Sequence, residues 1–177
     1  YFDQETMKID HIHNPQVRGD VSELVVEKPV VSGTPTYFFR REAFLANGGW
    51  KESEEIGIIS DWEMGARFCQ KWKVDYVPES LINVYVNHGF TRMSENRYYK
   101  QKLEKLIKFE KYFLQEFYNV FNKYPERAYK HYYILSRALM LMGRYSEAWP
   151  YYKMLLFKRH TFKDIFLIPF CLTHKAE

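Results

Sequence analysis

Cysteine is scarce in this chain: two residues, Cys69 and Cys171, in 177. Two thiols cannot build a disulfide framework, nor a four-ligand zinc site by themselves. Cys69 stands in a helical pattern beside Phe68 and reads as a small buried hydrophobe. A reducing compartment follows as the expectation. Long apolar runs are missing too. The longest, "IFLIPFCL" at 165–172, is well short of the roughly 18 residues needed to span a bilayer. No signal-peptide pattern is visible. The first residue is Tyr1 rather than Met, which fits either a fragment of a longer protein or a trimmed chain.

Apolar residues as a class are plentiful. They make up 46% of the chain, enough for a core and too many for global disorder. Aromatics reach 19%, which suits broad helix packing or a surface that stacks on sugars or membranes. The net charge of +4 is unevenly spread. Residues 1–96 carry 10 Lys/Arg against 15 Asp/Glu, net −5, and residues 97–177 carry 16 against 7, net +9. The acidic half could hold an acid–base site. The basic half could sit on an anionic surface, or its lysines could simply solvate long amphipathic helices. No nucleic-acid recognition motif accompanies the basic residues, which alternate with acids, so nucleic acid is not an expected partner.

The pattern changes near residue 97. Before it, short elements alternate. "MKIDHI" has period two and predicts a strand over Met7–Ile12, with His11 and His13 on one face and Pro15 at its end. Asp20 should cap a short helix in "VSELVVE". "TYFF" at 36–39 reads as a short buried strand. "RREAFLANGG" reads as a helix stopped by Asn47 and Gly48. A helix from Ser60 or Asp61 to about Trp72 would align Met64, Phe68 and Trp72 on one face. "KVDYV" and "LINVYVNH" alternate as strands around "PES".

After residue 97, helical spacing takes over. One helix should run to about Asn122, a second over Glu126–Met142, and a third from Tyr145 after a turn at Gly143. Pro150 should kink the third helix. A last amphipathic helix is expected near Phe162–Leu172, beside Lys158, Arg159 and Lys163. "ALMLMGRYSEAWPYYKMLL" resembles one tetratricopeptide-like helical hairpin.

The sharpest chemical question is Asp61, a carboxylate where a loop becomes a helix in "GGWKESEEIGIISDWEMGARF". It could cap the helix, worth about 0.5–2 kcal/mol, or act as a base. Glu63 lies about 200° around the helix from it and pairs at i+4 with Arg67, a modest contact of about 0.2–0.5 kcal/mol on an exposed helix face.

Taken together, "FFRREAFLANGGW", "SDWEMGARF" and "VDYVPESLINVYVNHGFTRMS" resemble the acceptor-side half of family 2 glycosyltransferases, inverting enzymes of the GT-A fold. The resemblance spans about residues 1–100 and rests on the order of the motifs. It implies an α/β half with short strands over residues 1–96, followed by an all-helical extension over 97–177. It also implies that the chain is the acceptor-binding and general-base portion of a transferase. Such an enzyme would move sugar from a nucleotide-sugar donor to a saccharide or lipid-linked saccharide acceptor.

In that resemblance Asp61 matches the general base, where the family commonly has Glu-Asp and this chain has Ser60-Asp61. Trp62 and Trp50 would stack on the acceptor. His88 matches a histidine that completes a metal or diphosphate site, and Arg92 and Ser94 fall in a loop that closes over the donor diphosphate. A divalent metal, Mn or Mg, is implied for the intact enzyme. Its main Asp-x-Asp ligands are missing from this sequence, so the isolated chain should be inactive. The implied location is cytoplasmic, or peripheral at the inner membrane face through the C-terminal helices. The competing reading is a non-catalytic protein- or membrane-interaction module built on the helical hairpin.

Overall fold

A computed structural model describes residues 1–12, 16–31, 33–52, 56, 59–86 and 99–158. The fold is mixed, with short strands and helices first and long helices after. The chain divides into two compact units, Tyr1–Glu52 with Ile58–Arg97, and Ser53–Gly57 with Tyr98–Glu177.

The first unit has a three-stranded sheet of two-residue strands: β1 (Phe2–Asp3), β2 (Lys8–Ile9) and β3 (Tyr85–Val86), in the order β2-β1-β3. β1 runs antiparallel to β2, with Phe2 opposite Ile9, and parallel to β3, with Phe2 opposite Tyr85. The strand expected over Met7–Ile12 is therefore only two residues long. Met7 has φ +54°, which takes the backbone out of the extended region just before it. "LINVYVNH" pairs only at Tyr85–Val86 among the described residues, and its Asn87 and His88 lie outside them. "KVDYV" forms no strand: Val74 makes a single antiparallel bridge to Gly19. "TYFF" forms no strand either: Thr36 ends a 3-10 turn, and of the residues after it Tyr37 and Phe39 are half-buried while Phe38 is fully exposed.

Three short helices complete this unit: α1 (Ser22–Glu27), α2 (Arg41–Ala46) and α3 (Ser60–Cys69). The Asp20 carboxylate accepts the Ser22 N–H at the start of α1, and that bond draws its pKa below the usual carboxylate value. Val25 and Val26 bury the inner face of α1. α3 stops short of Trp72, whose N–H bonds to the Phe68 carbonyl. The predicted stripe still packs as one face. Met64 and Phe68 form a core with Ala43, flanked by Tyr37, Phe39, Phe44, Trp50 and Trp72.

The second unit is helical. α4 (Tyr99–Glu116) and α5 (Tyr118–Lys123) replace the single helix expected to about Asn122. The break is at Phe117, whose φ −103°, ψ 24° leaves the helical region. A 3-10 turn at Pro125–Ala128 then leads into α6 (Tyr129–Leu141), so the second helix starts later than Glu126. α7 (Tyr145–Lys158) follows the turn at Gly143 and contains Pro150. The segment expected as a last helix near Phe162–Leu172 lies outside the described residues. Among the described residues no helix is long and apolar enough to cross a membrane.

The α4–α6–α7 core is Leu103, Ile107, Leu135, Ala138, Leu139 and Ala148. Beside it Phe113 meets Phe109, Phe117 and Phe121, and stacks on His131 at 5.0 Å. His131 Nδ1 lies 2.6 Å from Glu110 Oε2, with both side chains buried. Arg144, just past the Gly143 turn, bonds both carboxylate oxygens of Glu147 and also reaches Glu104 on α4. Lys111 adds a 3.1 Å bond to Glu147.

Two outcomes follow for this unit. Glu110→Leu takes the carboxylate from a buried ring nitrogen and should cost about 1–3 kcal/mol. Adding His131→Phe should recover part of that loss, because the two sites are coupled. Additive urea-unfolding free energies would show the pair to be energetically idle. The second outcome concerns acid. Arg144 first, then Lys111, holds the Glu147 carboxyl down to about 2 from 4.5. Its contribution is present above pH 4.5 and is lost as pH falls through about 2. Glu147→Gln should flatten the fall of the urea midpoint over that window, and parallel curves would rule this out.

Candidate functional site

α2 ends in a turn that the Gly-Gly pair dictates. The Gly49 N–H bonds back to the Phe44 carbonyl and the Gly48 N–H to the Leu45 carbonyl, the two bonds of a Schellman motif. Gly48 sits at φ +78°, where a side chain would be strained. The turn leaves the carbonyls of Asn47 and Gly49 pointing toward α3. Arg67 takes both of them. Nη1 donates to the Asn47 oxygen and Nη2 to the Gly49 oxygen at 2.8 Å.

The same guanidinium grips Glu63 with two bonds, Nε to Oε1 at 2.9 Å and Nη2 to Oε2 at 3.2 Å. Glu63 is fully buried, and Lys51 Nζ stands 3.5 Å from its Oε1. This pair is more than the modest exposed contact that i+4 spacing suggests. It is a buried, bidentate junction between one helix and the end of another.

Asp61 opens the first turn of α3. Neither Ser60 nor Asp61 caps the helix: the N-cap position is Ile59, with no side-chain cap bond. Instead Asp61 Oδ1 accepts the N–H of the next residue, Trp62, at 2.8 Å. Asp61 Oδ2 lies 3.9 Å from where a Cβ on Gly33 would be. The residue is partly exposed.

Trp62 does not present an open face to an acceptor. It is 9% exposed, and its indole N–H donates to the Val25 carbonyl of α1 at 2.6 Å. A large ring on the inner side of α3 lies in the core, and its one polar atom finds a backbone partner there. Trp50 is partly buried against the α2–α3 core, 6.0 Å from the Tyr37 ring. His88, Arg92 and Ser94 lie outside the described residues. The structure thus brings Asp61, Trp62 and Trp50 onto one unit, with the two tryptophans in packing positions.

Sequence reading missed Tyr37. Its hydroxyl donates to the Asp61 main-chain carbonyl at 2.8 Å, with the Val31 carbonyl farther off at 3.4 Å. Burial first, and then the Asp61 charge, pushes the Tyr37 hydroxyl above its ordinary pKa, so it stays a neutral donor. Burial likewise raises the Cys69 thiol to about 12, which makes it an inert core residue. Among the described residues no three His, Cys, Asp or Glu side chains gather to hold a metal ion.

Arg67→Met should destabilise the protein by about 3–5 kcal/mol in urea unfolding, because it strands a buried carboxylate. Arg67→Lys should cost less but still measurably, since an ammonium cannot serve the carboxylate and two carbonyls in one plane. Wild-type stability in Arg67→Met would show that Glu63 is satisfied without the guanidinium.

Compared with family models, curated proteins and solved structures, the chain matches none.

Proposed function

We propose that residues 1–96 form the acceptor-side half of a GT-A-type inverting glycosyltransferase, with Asp61 as its general base. The observation that carries this reading is the division of labour within one carboxylate. Oδ1 is held by the Trp62 N–H, while Oδ2 faces Gly33 at the start of the helix. A base needs that combination: a fixed direction, and an oxygen beyond the one that fixes it. The order of motifs from "FFRREAF" through "SDWEMGARF" supports the same reading.

In the transfer, the acceptor hydroxyl attacks the anomeric carbon from the face opposite the leaving group. Its proton passes to Asp61 as the new C–O bond forms. The bond to the donor phosphate breaks with its electron pair, and a nucleoside diphosphate departs. A base so placed supplies about 10²–10⁴-fold in rate. The donor, and the divalent ion that steadies its diphosphate, would be held mainly by residues outside this chain.

A second reading treats residues 97–177 as a non-catalytic protein- or membrane-interaction module. It is favoured by the exposed Trp149 and Met154 on α7, where Lys153 Nζ lies 5.3 Å from the Trp149 ring centroid.

Asp61→Asn in the full-length protein separates the two. The amide keeps an oxygen for the Trp62 N–H, so folding should be unchanged. Transfer from a panel of radiolabelled UDP- and GDP-sugars to an envelope-saccharide extract should fall by about 10² or more. Undiminished transfer, or a wild-type protein that transfers nothing across the panel, would favour the interaction module.

A further inference from the structure

We infer that Tyr37 is a positioning residue for Asp61: its half-buried hydroxyl fixes the first turn of α3 and so the direction of the Asp61 carboxylate. The inference rests on the reading of Asp61 as a base.

Four features converge on it. Tyr37 lies between the 3-10 turn at Thr34–Thr36 and α2, in no strand, so no sheet partner holds it. Its ring is held by Phe39 at 5.2 Å and Trp50 at 6.0 Å, and its hydroxyl reaches across to α3. There it donates to the carbonyl of Asp61 itself. In an α-helix that carbonyl also accepts the N–H four residues on, from Gly65. Gly65 is what makes room: a Cβ there would sit 3.0 Å from the Tyr37 hydroxyl, while its next neighbours are 3.8 Å away.

The geometry also ties the two ends of the site together. Gly33 and Tyr37 flank a short 3-10 turn at Thr34–Thr36, in which the Thr36 hydroxyl and N–H both bond to the Gly33 carbonyl. One end of this turn faces Asp61 Oδ2, and the other holds the Asp61 carbonyl. A hydroxyl lost at Tyr37 would free both the helix turn and the segment that faces the carboxylate.

The test uses Tyr37→Phe, Gly65→Ala and the double variant in the full-length protein. It reads hydrogen exchange of the amides at 60–65, transfer kinetics with the same nucleotide-sugar panel and extract, and urea midpoints. Tyr37→Phe should speed exchange in the first turn of α3 and lower kcat by about tenfold, the scale of a small misplacement, with the acceptor KM little changed. Gly65→Ala should mimic it from the other side, by displacing the hydroxyl. This second route also serves if Tyr37→Phe folds poorly. In the Tyr37→Phe background, Gly65→Ala should add no further loss, because the clashing atom is gone.

Wild-type exchange at 60–65 together with kcat within about twofold in Tyr37→Phe would overturn the inference. If Asp61→Asn abolished transfer in the same series, the reading of Asp61 would still stand. If Asp61→Asn left transfer intact, the base assignment would fall, and with it the positioning role. Additive losses from the two substitutions would also overturn the inference, since the two residues would then not be acting through one contact.

Discussion

The first unit depends on a buried charge pair that binds backbone rather than only side chains. Glu63 has no access to water, and a carboxylate in that setting is tolerated only when its charge is met and its oxygens are bonded. Arg67 meets both needs and uses its remaining donors on the carbonyls that the Gly48–Gly49 turn leaves open. The register between α2 and α3 is thereby set by hydrogen-bond geometry, which is directional. The apolar cluster of Ala43, Met64 and Phe68, which is not directional, fills in around it. Asp61 stands on the same helix as this pair and Tyr37 packs against the same cluster, so the candidate site inherits its rigidity from this junction.

The second unit solves a related problem differently. Its apolar helix faces are rich in phenylalanine, and His131 and Glu110 lie among those rings. Arg144 and Lys111 then gather Glu104 and Glu147 at the surface near the Gly143 turn. Exposed pairs of this kind add little each, and contribute more where several charges form a network, as these four do.

Much of this was legible from residue order. The spacing of Met64, Phe68 and Trp72 marked one helix face, and Asn47-Gly48-Gly49 marked a helix stop. Both read directly because they depend on local periodicity and on backbone conformations that few residues tolerate. The strand expectations at "TYFF" and "KVDYV" went wrong because neither a short apolar run nor an alternation of apolar and polar residues reports whether a segment has a hydrogen-bonding neighbour. The break at Phe117 was hidden because Phe113, Phe117 and Phe121 keep helical spacing straight across it.

The site was legible only in part. Asp61 stood out by its place at a loop–helix junction. The direction of the Trp62 indole could not be read, since a tryptophan at that spacing fits a core as well as a sugar. Tyr37 lies 24 positions from the carbonyl it contacts, and its one trace in the sequence is a glycine, Gly65, inside a helix that otherwise has no need of one.

The Arg67 contacts with the α2 turn carry one more implication. They are made to main-chain oxygens, so they place no demand on the exposed side chains at the end of α2. Leu45 is largely exposed and Ala46 is exposed as well. That surface can drift in sequence, acquire charge or be recruited for new contacts while the helix-to-helix junction beneath it stays the same.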